Sequence, residues 1–465
     1  MNTESKPHRD RAIVIGAGIA GLLAARVLTD FYTEVVILDR DDLSAEGMPR
    51  RGVPQSRHAH GLLAGGLRVI EDLFPGIFEE LVDRGATPAD PQADGTWFFE
   101  GGPLCKTPSG TKGVLTSRPL LESTIRQRVR SLEGVTIIGD QRVSELVSTP
   151  DRKRVAGVTT SSGAFDADLV VDAGGRGTKS SRWLKSLGFD PAREEQVEVT
   201  LAYTTRQFRV RSENLPGDRF VIIGPTPAGK RGGVLAIQEN DRWIVTLFGH
   251  FGQIAPTELD GFIEYARSLP SPLIYQAIRD AEPLDDAVTF RFPASTRRHY
   301  EDLKSFPEGY LVFGDAICSF NPIYGQGMSV AALQANALSQ VLREGGSDIA
   351  RRFFKQASAV IDNPWNIAVG ADLRMPETKG PRSTAGSIIN WYIANVHKQA
   401  HTDPVAAVAF SRVAQLLDPP TNLMRPAMII RVIRGIIRRK LNRSRHISEQ
   451  LLNTAEPRRA QHDSF

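Results

Sequence analysis

Ala12-Ile13-Val14-Ile15-Gly16-Ala17-Gly18-Ile19-Ala20-Gly21 is the stretch whose reading decides the fold. Its short β-branched apolar run predicts a parallel strand buried on both faces, and the glycines that follow without a gap form a G-x-G-x-x-G turn. Gly16 permits the tight exit from the strand, Gly18 lets a pyrophosphate approach the backbone, and Gly21 lets the next helix pack close. Ala17, Ile19 and Ala20 complete the turn, and the helix legible in Leu22 to Leu28 presents its N-terminal amides to an anion. A second strand, Glu34 to Leu38, ends at Asp39, 23 positions past Gly16, with Arg40 next. A carboxylate there suits a ribose diol. Strand, turn, helix, strand and acid in this order predict a dinucleotide site without distinguishing FAD from NAD.

The rest of the composition sets bounds. A chain of 465 residues with 41% hydrophobic content has room for two or three domains with proper cores. A formal net charge of only +4 supplies no global field for nucleic acid. Cys105 and Cys318 stand far apart with no C-x-x-C, which argues for a reducing compartment and against a disulfide framework or metal cluster. Met1 to Arg11 lacks the apolar core of a signal peptide, and nowhere is there an apolar run of about 18 residues. A cytoplasmic protein is expected.

Onward from Asp39, Arg40 to Gly52 reads as a charged, glycine-rich loop, followed by Val53-Pro54-Gln55-Ser56-Arg57-His58-Ala59-His60-Gly61. The paired histidines lack a third metal ligand, which leaves two readings: an anionic or flavin border, and a solvated loop. Leu62 to Phe74 has helical spacing. Thr87 to Gly113 reads as loop, its Trp97, Phe98 and Phe99 belonging to core or pocket wall. Arg118 opens a helix through about Leu132, a strand at Val135 to Ile138 leads to Val143, and Val155 to Thr159 belongs to a hairpin. Asp168 to Asp172 is a further strand running into Ala173-Gly174-Gly175-Arg176-Gly177, without the G-K-[ST] of a P-loop. From Val197 to Phe251 the pattern turns to antiparallel β, with Asn240-Asp241 among its turns. Thr257 to Ile278 reads as helix and Ala287 to Phe292 as a returning strand.

A second signature follows. The strand Tyr310 to Phe313 ends in Gly314-Asp315, and Asn321-Pro322-Ile323-Tyr324-Gly325-Gln326-Gly327-Met328 leads into a helix from Ser329 to Val341. An acid at a strand end, a proline and a glycine-rich helix entry suit a sugar-alcohol chain beside an anionic ring edge.

With these segments in view, the chain resembles the FAD-dependent monooxygenases related to para-hydroxybenzoate hydroxylase. The resemblance rests on Gly16-x-Gly18-x-x-Gly21, on Asp172-Ala173-Gly174-Gly175-Arg176, and on Gly314-Asp315 with Pro322-x-x-Gly325-x-Gly327, and it covers most of residues 11 to 345. Pro54 to Gly61 and Asn321 to Met328 are similar, more narrowly, to the bacterial polyether epoxidases akin to squalene epoxidase. The resemblance implies Asp39 on the adenosine ribose, Asp315 on the ribityl chain, and the amides of Gly325, Gln326, Gly327 and Met328 on the flavin edge. It also implies Arg118 beside the phosphates or ribityl chain, Val143 offering backbone to adenine, and Arg57 with its neighbours bordering the isoalloxazine. Arg57 and His58 are the candidate catalytic residues. Two departures stand out: Ala316-Ile317-Cys318 replaces the histidine that many aromatic hydroxylases carry after Gly-Asp, and Asp172 and Gly174 replace glycine and aspartate in a segment tied to FAD and NADPH.

The implied fold is α/β. A Rossmann-type FAD-binding domain (1–185 and 291–345) is interleaved with an antiparallel β-rich substrate domain (186–290) and followed by a helical C-terminal region (346–465). The implied reaction transfers one oxygen atom from O2, through a flavin hydroperoxide, to a large apolar small molecule. NADPH or NADH would supply electrons directly or through a separate flavin reductase. Without a base in the Gly-Asp segment, epoxidation or hydroxylation of an apolar substrate in specialised metabolism is favoured over phenol chemistry, with Ile317, Cys318, Phe320, Ile323 and Tyr324 as either pocket or core. A flavin-dependent reductase or dehydrogenase of a prenyl-type substrate is the alternative. A halogenase's G-W-x-W-x-I-P motif is not found. In the C-terminal third, Asn363-Pro364-Trp365 and Asp372 to Pro376 read as helix punctuation. Met428 to Leu441 reads as a basic amphipathic helix, its apolar face turned either to its own domain or to a membrane, and Glu456 to Phe465 as a frayed tail.

Overall fold

The computed structural model describes residues 9–44, 47, 50, 52, 54–209, 212–215 and 217–454. Val53, Val210, Pro216 and the tail expected over 456–465 lie outside them.

The opening strand, Arg9–Ile15, sits at the centre of a five-stranded sheet ordered Tyr310–Val312, Leu169–Asp172, Arg9–Ile15, Tyr32–Leu38, Val135–Ile138. All four pairings are parallel, with Ile13 opposite Val170 on one side and Val36 on the other. Ala12, Ile13, Val14, Val170 and Val171 have no exposed surface, which is why these strands read as unbroken apolar runs. The helix Ile19–Leu28 covers the sheet and packs against the helix Gly327–Glu344, so the two signatures meet in one core. The fold is that of a Rossmann-type α/β protein with an antiparallel sheet and a helical C-terminal region.

The larger sheet joins Cys318–Ser319, Val288–His299, Arg193–Arg209, Arg242–His250, Arg231–Gln238, Phe220–Ile223, Gly95–Phe99 and Gly102–Pro103 in that order. Only Phe220–Ile223 against Gly95–Phe99 runs parallel, and that pairing draws Trp97 and Phe99 out of the expected loop and into a wall. Two further expectations change. Thr257 to Ile278 is two helices, Leu259–Arg267 and Leu273–Ile278, divided where Pro270 and Pro272 deny backbone donors. The returning strand extends to His299, across residue 290, where the sequence divides substrate from flavin segments. Its polar end looks solvent-facing in sequence but is buried by pairing: Arg297 with Asp362 at 2.7 Å, Arg298 with Glu194 at 2.8 Å and His299 with Glu195 at 3.1 Å.

The C-terminal region consists of the helices Ile349–Asp372, Thr384–Ala400, Pro404–Ala414 and Pro426–Thr454. Pro364 lies inside the first of these and does not end it; the helix stops at Asp372. Among the described residues no helix is long and apolar enough to cross a membrane.

Candidate functional site

Strand order positions the site. Arg9–Ile15, Leu169–Asp172, Tyr32–Leu38 and Tyr310–Val312 all point their C-terminal ends at one edge, where open α/β sheets bind ligands. Asp39 follows the strand on one side of the centre and Asp315 the strand two places away on the other. Three strand spacings separate them, roughly 14 Å of sheet. Both line a single cavity of about 1120 Å³.

The glycine turn has the geometry its spacing demands. Gly16 has φ +102°, and a Cβ there would stand 2.8 Å from the Ala173 carbonyl oxygen. A Cβ on Gly21 would lie 1.8 Å from the Gly16 oxygen, so only glycine lets the helix seat on the strand. Gly18 differs: no protein atom lies within 4 Å of its Cβ position, and it opens on the cavity. Gly16, Ile19 and Ala20 line the cavity with it, while Ala17 and Gly21 lie behind.

Asp39 is buried and folds back on this turn, its Oδ2 accepting the Ala17 amide at 2.6 Å and its Oδ1 the Asp41 amide at 2.9 Å. Arg50, read in sequence as part of a charged, glycine-rich loop, is buried against it. Its guanidinium lies 3.3 Å from Asp39, 3.5 Å from Asp41 and 2.6 Å from Glu122, and donates to the Ala17 carbonyl at 3.1 Å. Burial would raise the Glu122 carboxyl, but Arg118, Arg50 and Arg126 together hold it below its ordinary value. Arg118 lines the cavity and ion-pairs with Glu122 at 3.1 Å. Arg40 and Val143 also line it, the Val143 carbonyl accepting from Lys179 Nζ at 3.2 Å.

At the other end, Gly314 turns the chain with φ +68°, and its amide donates to Gln334 Oε1 at 2.9 Å. Asp315 then faces the cavity. Among the described residues its carboxylate has no hydrogen-bond partner; burial raises its pKa while Arg118 and Arg176 pull the other way. A Cβ on Gly327 would sit 3.5 Å from Asp315 Oδ1, so acid and helix entry are adjacent. Pro322, Gly325, Gln326, Gly327 and Met328 all line the cavity, and Gly325 (φ +65°) faces Gly61. The first-turn amides of Gly327–Glu344 lack partners within that helix and carry its positive end.

Much of the cavity wall is apolar and aromatic: Trp97, Phe99, Phe220, Ile222, Phe248, Phe320, Ile323 and Trp365. Ile317 and Cys318 are buried core instead. Arg57 is exposed and stands outside the lining, whereas His58 and His60 belong to it. His58 Nδ1 lies 2.7 Å from Thr205 Oγ1, itself 2.6 Å from Thr246 Oγ1, which accepts the Ala59 amide at 3.1 Å. Burial, then the Arg57 charge, pushes His58 down to about 4; burial, then Arg118, pushes His60 down to about 3. Both are neutral at pH 7.

One polar group reads in the sequence only as helix punctuation. Asp372, at the end of its helix, is buried and accepts from Asn321 Nδ2 and from the Tyr324 hydroxyl, both at 2.8 Å, while its Oδ2 has no partner. Burial raises it to about 7. Tyr324 and Asn321 line the cavity, so the pair is a titratable unit behind its wall. No local spacing flags Asp372, because its partners lie 51 and 48 residues away in sequence.

The residues present fit a flavin dinucleotide: an unobstructed Gly18, a carboxylate at each end and a free helix N-terminus in one crevice. The fold and this crevice define the chain as one built on the architecture of flavin-dependent monooxygenases and halogenases. The flavin-dependent brominase Bmp2 superposes with a TM-score of 0.67 at 16% identity, covering 93% of this chain and 100% of its own. PqsL, a probable FAD-dependent monooxygenase from Pseudomonas aeruginosa, gives 0.59 at 16%, covering 79% and 97%. At the sequence level the chain belongs to the family of protein Rv3254 of Mycobacterium tuberculosis, to which it is 33% identical over 437 residues, 88% of this chain and 90% of that protein. It is 26% identical to kynurenine 3-monooxygenase of Salinispora tropica over 356 residues, 72% of this chain and 73% of that enzyme. No family model matches.

Proposed function

We propose that the protein is an FAD-dependent monooxygenase that transfers one oxygen atom from O2 to a large, mostly apolar small molecule by epoxidation or hydroxylation. The observation carrying this reading is one cavity lined both by Gly18, Asp39 and Asp315, the places for the cofactor, and by a large aromatic and apolar wall. The likeness to a protein named kynurenine 3-monooxygenase supports the oxygen-transfer class.

Gly16, Gly18 and the amides of the first helix hold the pyrophosphate, Asp39 the adenosine ribose, Val143 the adenine edge and Asp315 the ribityl hydroxyls. Arg118 adds positive charge, and the amides from Gly325 to Met328 face the ring edge that carries negative charge on reduction. Bound FAD, reduced by NADPH or NADH directly or through a separate flavin reductase, supplies the two-electron activation of O2. The chain's own groups do the rest. Trp97, Phe99, Phe320 and Trp365 exclude water, which protects a reactive oxygen from hydrolysis. His58 and His60 stay neutral and serve as hydrogen-bonding walls, with Arg57 acting on His58 from outside through its charge. Asp372, raised to about 7 by burial, stores a proton near neutral pH on Oδ2, the oxygen left without a partner while Oδ1 accepts from Tyr324 and Asn321. This pair supplies the acid–base group that the Gly-Asp segment lacks, so hydroxylation stands level with epoxidation.

The test reduces the FAD-loaded protein anaerobically with NADPH or NADH, with and without a flavin reductase, then admits ¹⁸O₂ over a panel of polyenes and phenols. Mass spectrometry should find one labelled oxygen in a product. Oxygen uptake with no labelled product from any of them would overturn the reading in favour of the prenyl-type reductase.

A further inference from the structure

The final helix has two apolar faces, and only one is used. Met428 and Val432 are buried, and Ile429 and Ile436 pack beside them against Tyr392, Val396, Ala406 and Leu423. On the far side Ile430, Ile433, Ile437 and Leu441 are 48–59% exposed. At about 100° per residue, Ile430, Ile437 and Leu441 stand opposite Val432, with Ile433 just beside them. Arg434 and Arg438 flank this ridge on one side and Lys440 on the other, all exposed. From Pro426 to Leu441 the helix holds five cationic residues and no acidic one.

A second exposed patch lies on a neighbouring helix. The helix Thr384–Ala400 is tied to the last helix where Arg439 donates to Asn395 at 3.3 Å and to Gln399 at 3.4 Å. One turn before Asn395 it exposes Trp391, and near it Ile388, at 58% and 61%. Its inner side, through Ile389, Asn390, Ile393 and His397, lines the cavity. One helix therefore separates the exterior patch from the chamber.

We infer that the exposed ridge of the last helix is a docking surface for an anionic lipid bilayer, with Ile430, Ile433, Ile437 and Leu441 seated among the acyl chains and the flanking cations against the headgroups. An apolar stripe bordered on both sides by cations is the pattern of a helix lying in a membrane interface. A second copy of this chain is a poorer occupant: pairing the ridge with itself would set Arg434 and Arg438 against their own kind with no carboxylate between Pro426 and Leu441 to neutralise them. The lipid surface then hands an apolar substrate to the chamber past the helix Thr384–Ala400, a consequence that rests on the function proposed above.

The full chain is sedimented with phosphatidylcholine vesicles with and without phosphatidylglycerol. It should pellet with the anionic vesicles, release as salt rises toward about 0.5 M, and bind about tenfold more weakly as the Ile433→Glu/Ile437→Glu variant. Both positions are exposed, so that variant keeps its melting temperature and FAD content. Wild-type protein that stays in the supernatant, or a glutamate variant that pellets equally, overturns the inference. So does a lipid-free dimer by sedimentation velocity that the glutamates dissociate, which assigns the face to a second copy. Flavin content is read on the same samples: a colourless chain that pellets keeps the docking surface and defeats the monooxygenase reading, and a yellow chain that does not pellet does the reverse.

Discussion

Replacing Gly18 by alanine separates ligand binding from folding in a way that few positions allow. Gly18 has φ −76° and ψ 175°, extended backbone open to any residue, and its Cβ would meet nothing within 4 Å. As the residue that caps the first helix, alanine costs about 1 kcal/mol there, while the reduced freedom of the unfolded chain returns about 0.4–1 kcal/mol. The flavin-free protein should therefore melt within about 2 °C of wild type. The methyl group, however, fills the space that a pyrophosphate needs in order to reach the turn amides. Losing one hydrogen bond to a charged group costs about 1.5–3 kcal/mol, or roughly a tenfold to 150-fold rise in Kd for FAD. Quenching of flavin fluorescence gives the Kd, and differential scanning of the flavin-free protein gives the Tm. Gly21→Ala is the counterpart: a Cβ 1.8 Å from the Gly16 oxygen damages the fold itself. An unchanged Kd in Gly18→Ala, or a Tm loss as large as that of Gly21→Ala, would refute the assignment of the open space to the cofactor.

Asp315→Ala should purify colourless if, as proposed, the carboxylate facing the chamber holds the ribityl hydroxyls; an undiminished flavin-to-protein absorbance ratio would remove it from the site. Asp372 is raised from 3.8 to about 7 by burial, so its contribution to stability is complete below pH 3.8 and is lost as pH rises through 7. At ~1.4 kcal/mol per pH unit the ceiling is about 4 kcal/mol, and Asp372→Asn should flatten that part of the fall in Tm between pH 5 and 8. His397 runs the other way. Both its nitrogens are buried without partners between the rings of Phe99 and Phe410, and burial lowers it to about 3. Its contribution is complete above pH 6.5 and falls away in acid, about 2 kcal/mol by pH 5, so His397→Phe should resist acid unfolding better than wild type; an equal acid midpoint would count against this.

Legibility in the sequence followed locality. The glycine turn, Asp39, the Asp315 strand end and the Gly325 helix entry each announce themselves within about ten residues, because turn sterics and strand periodicity act over that range. Groups held by distant partners gave no such signal. Arg50 looks like one more charge in a polar loop until Asp39, Asp41 and Glu122 close around it, and the end of the strand Val288–His299 looks too polar to be buried until its ion pairs are seen. The last helix stood between these cases. Its amphipathic pattern was plain, but a one-dimensional pattern with isoleucines on two faces cannot say which face the domain covers.

The two sets of observations constrain each other through the helix Thr384–Ala400. Its inner residues Ile393 and His397 close the chamber and Ile389 lines it while half exposed, whereas Ile388 and Trp391 face solvent. A helix that only closed a water-excluding chamber would gain nothing from exposing an isoleucine and a tryptophan, since apolar area left in water forgoes about 25 cal/mol per Å² of stabilisation. Exposure of that size on the outer wall of an apolar chamber, beside a cationic isoleucine ridge, is accounted for if the outer wall spends part of its working time out of water.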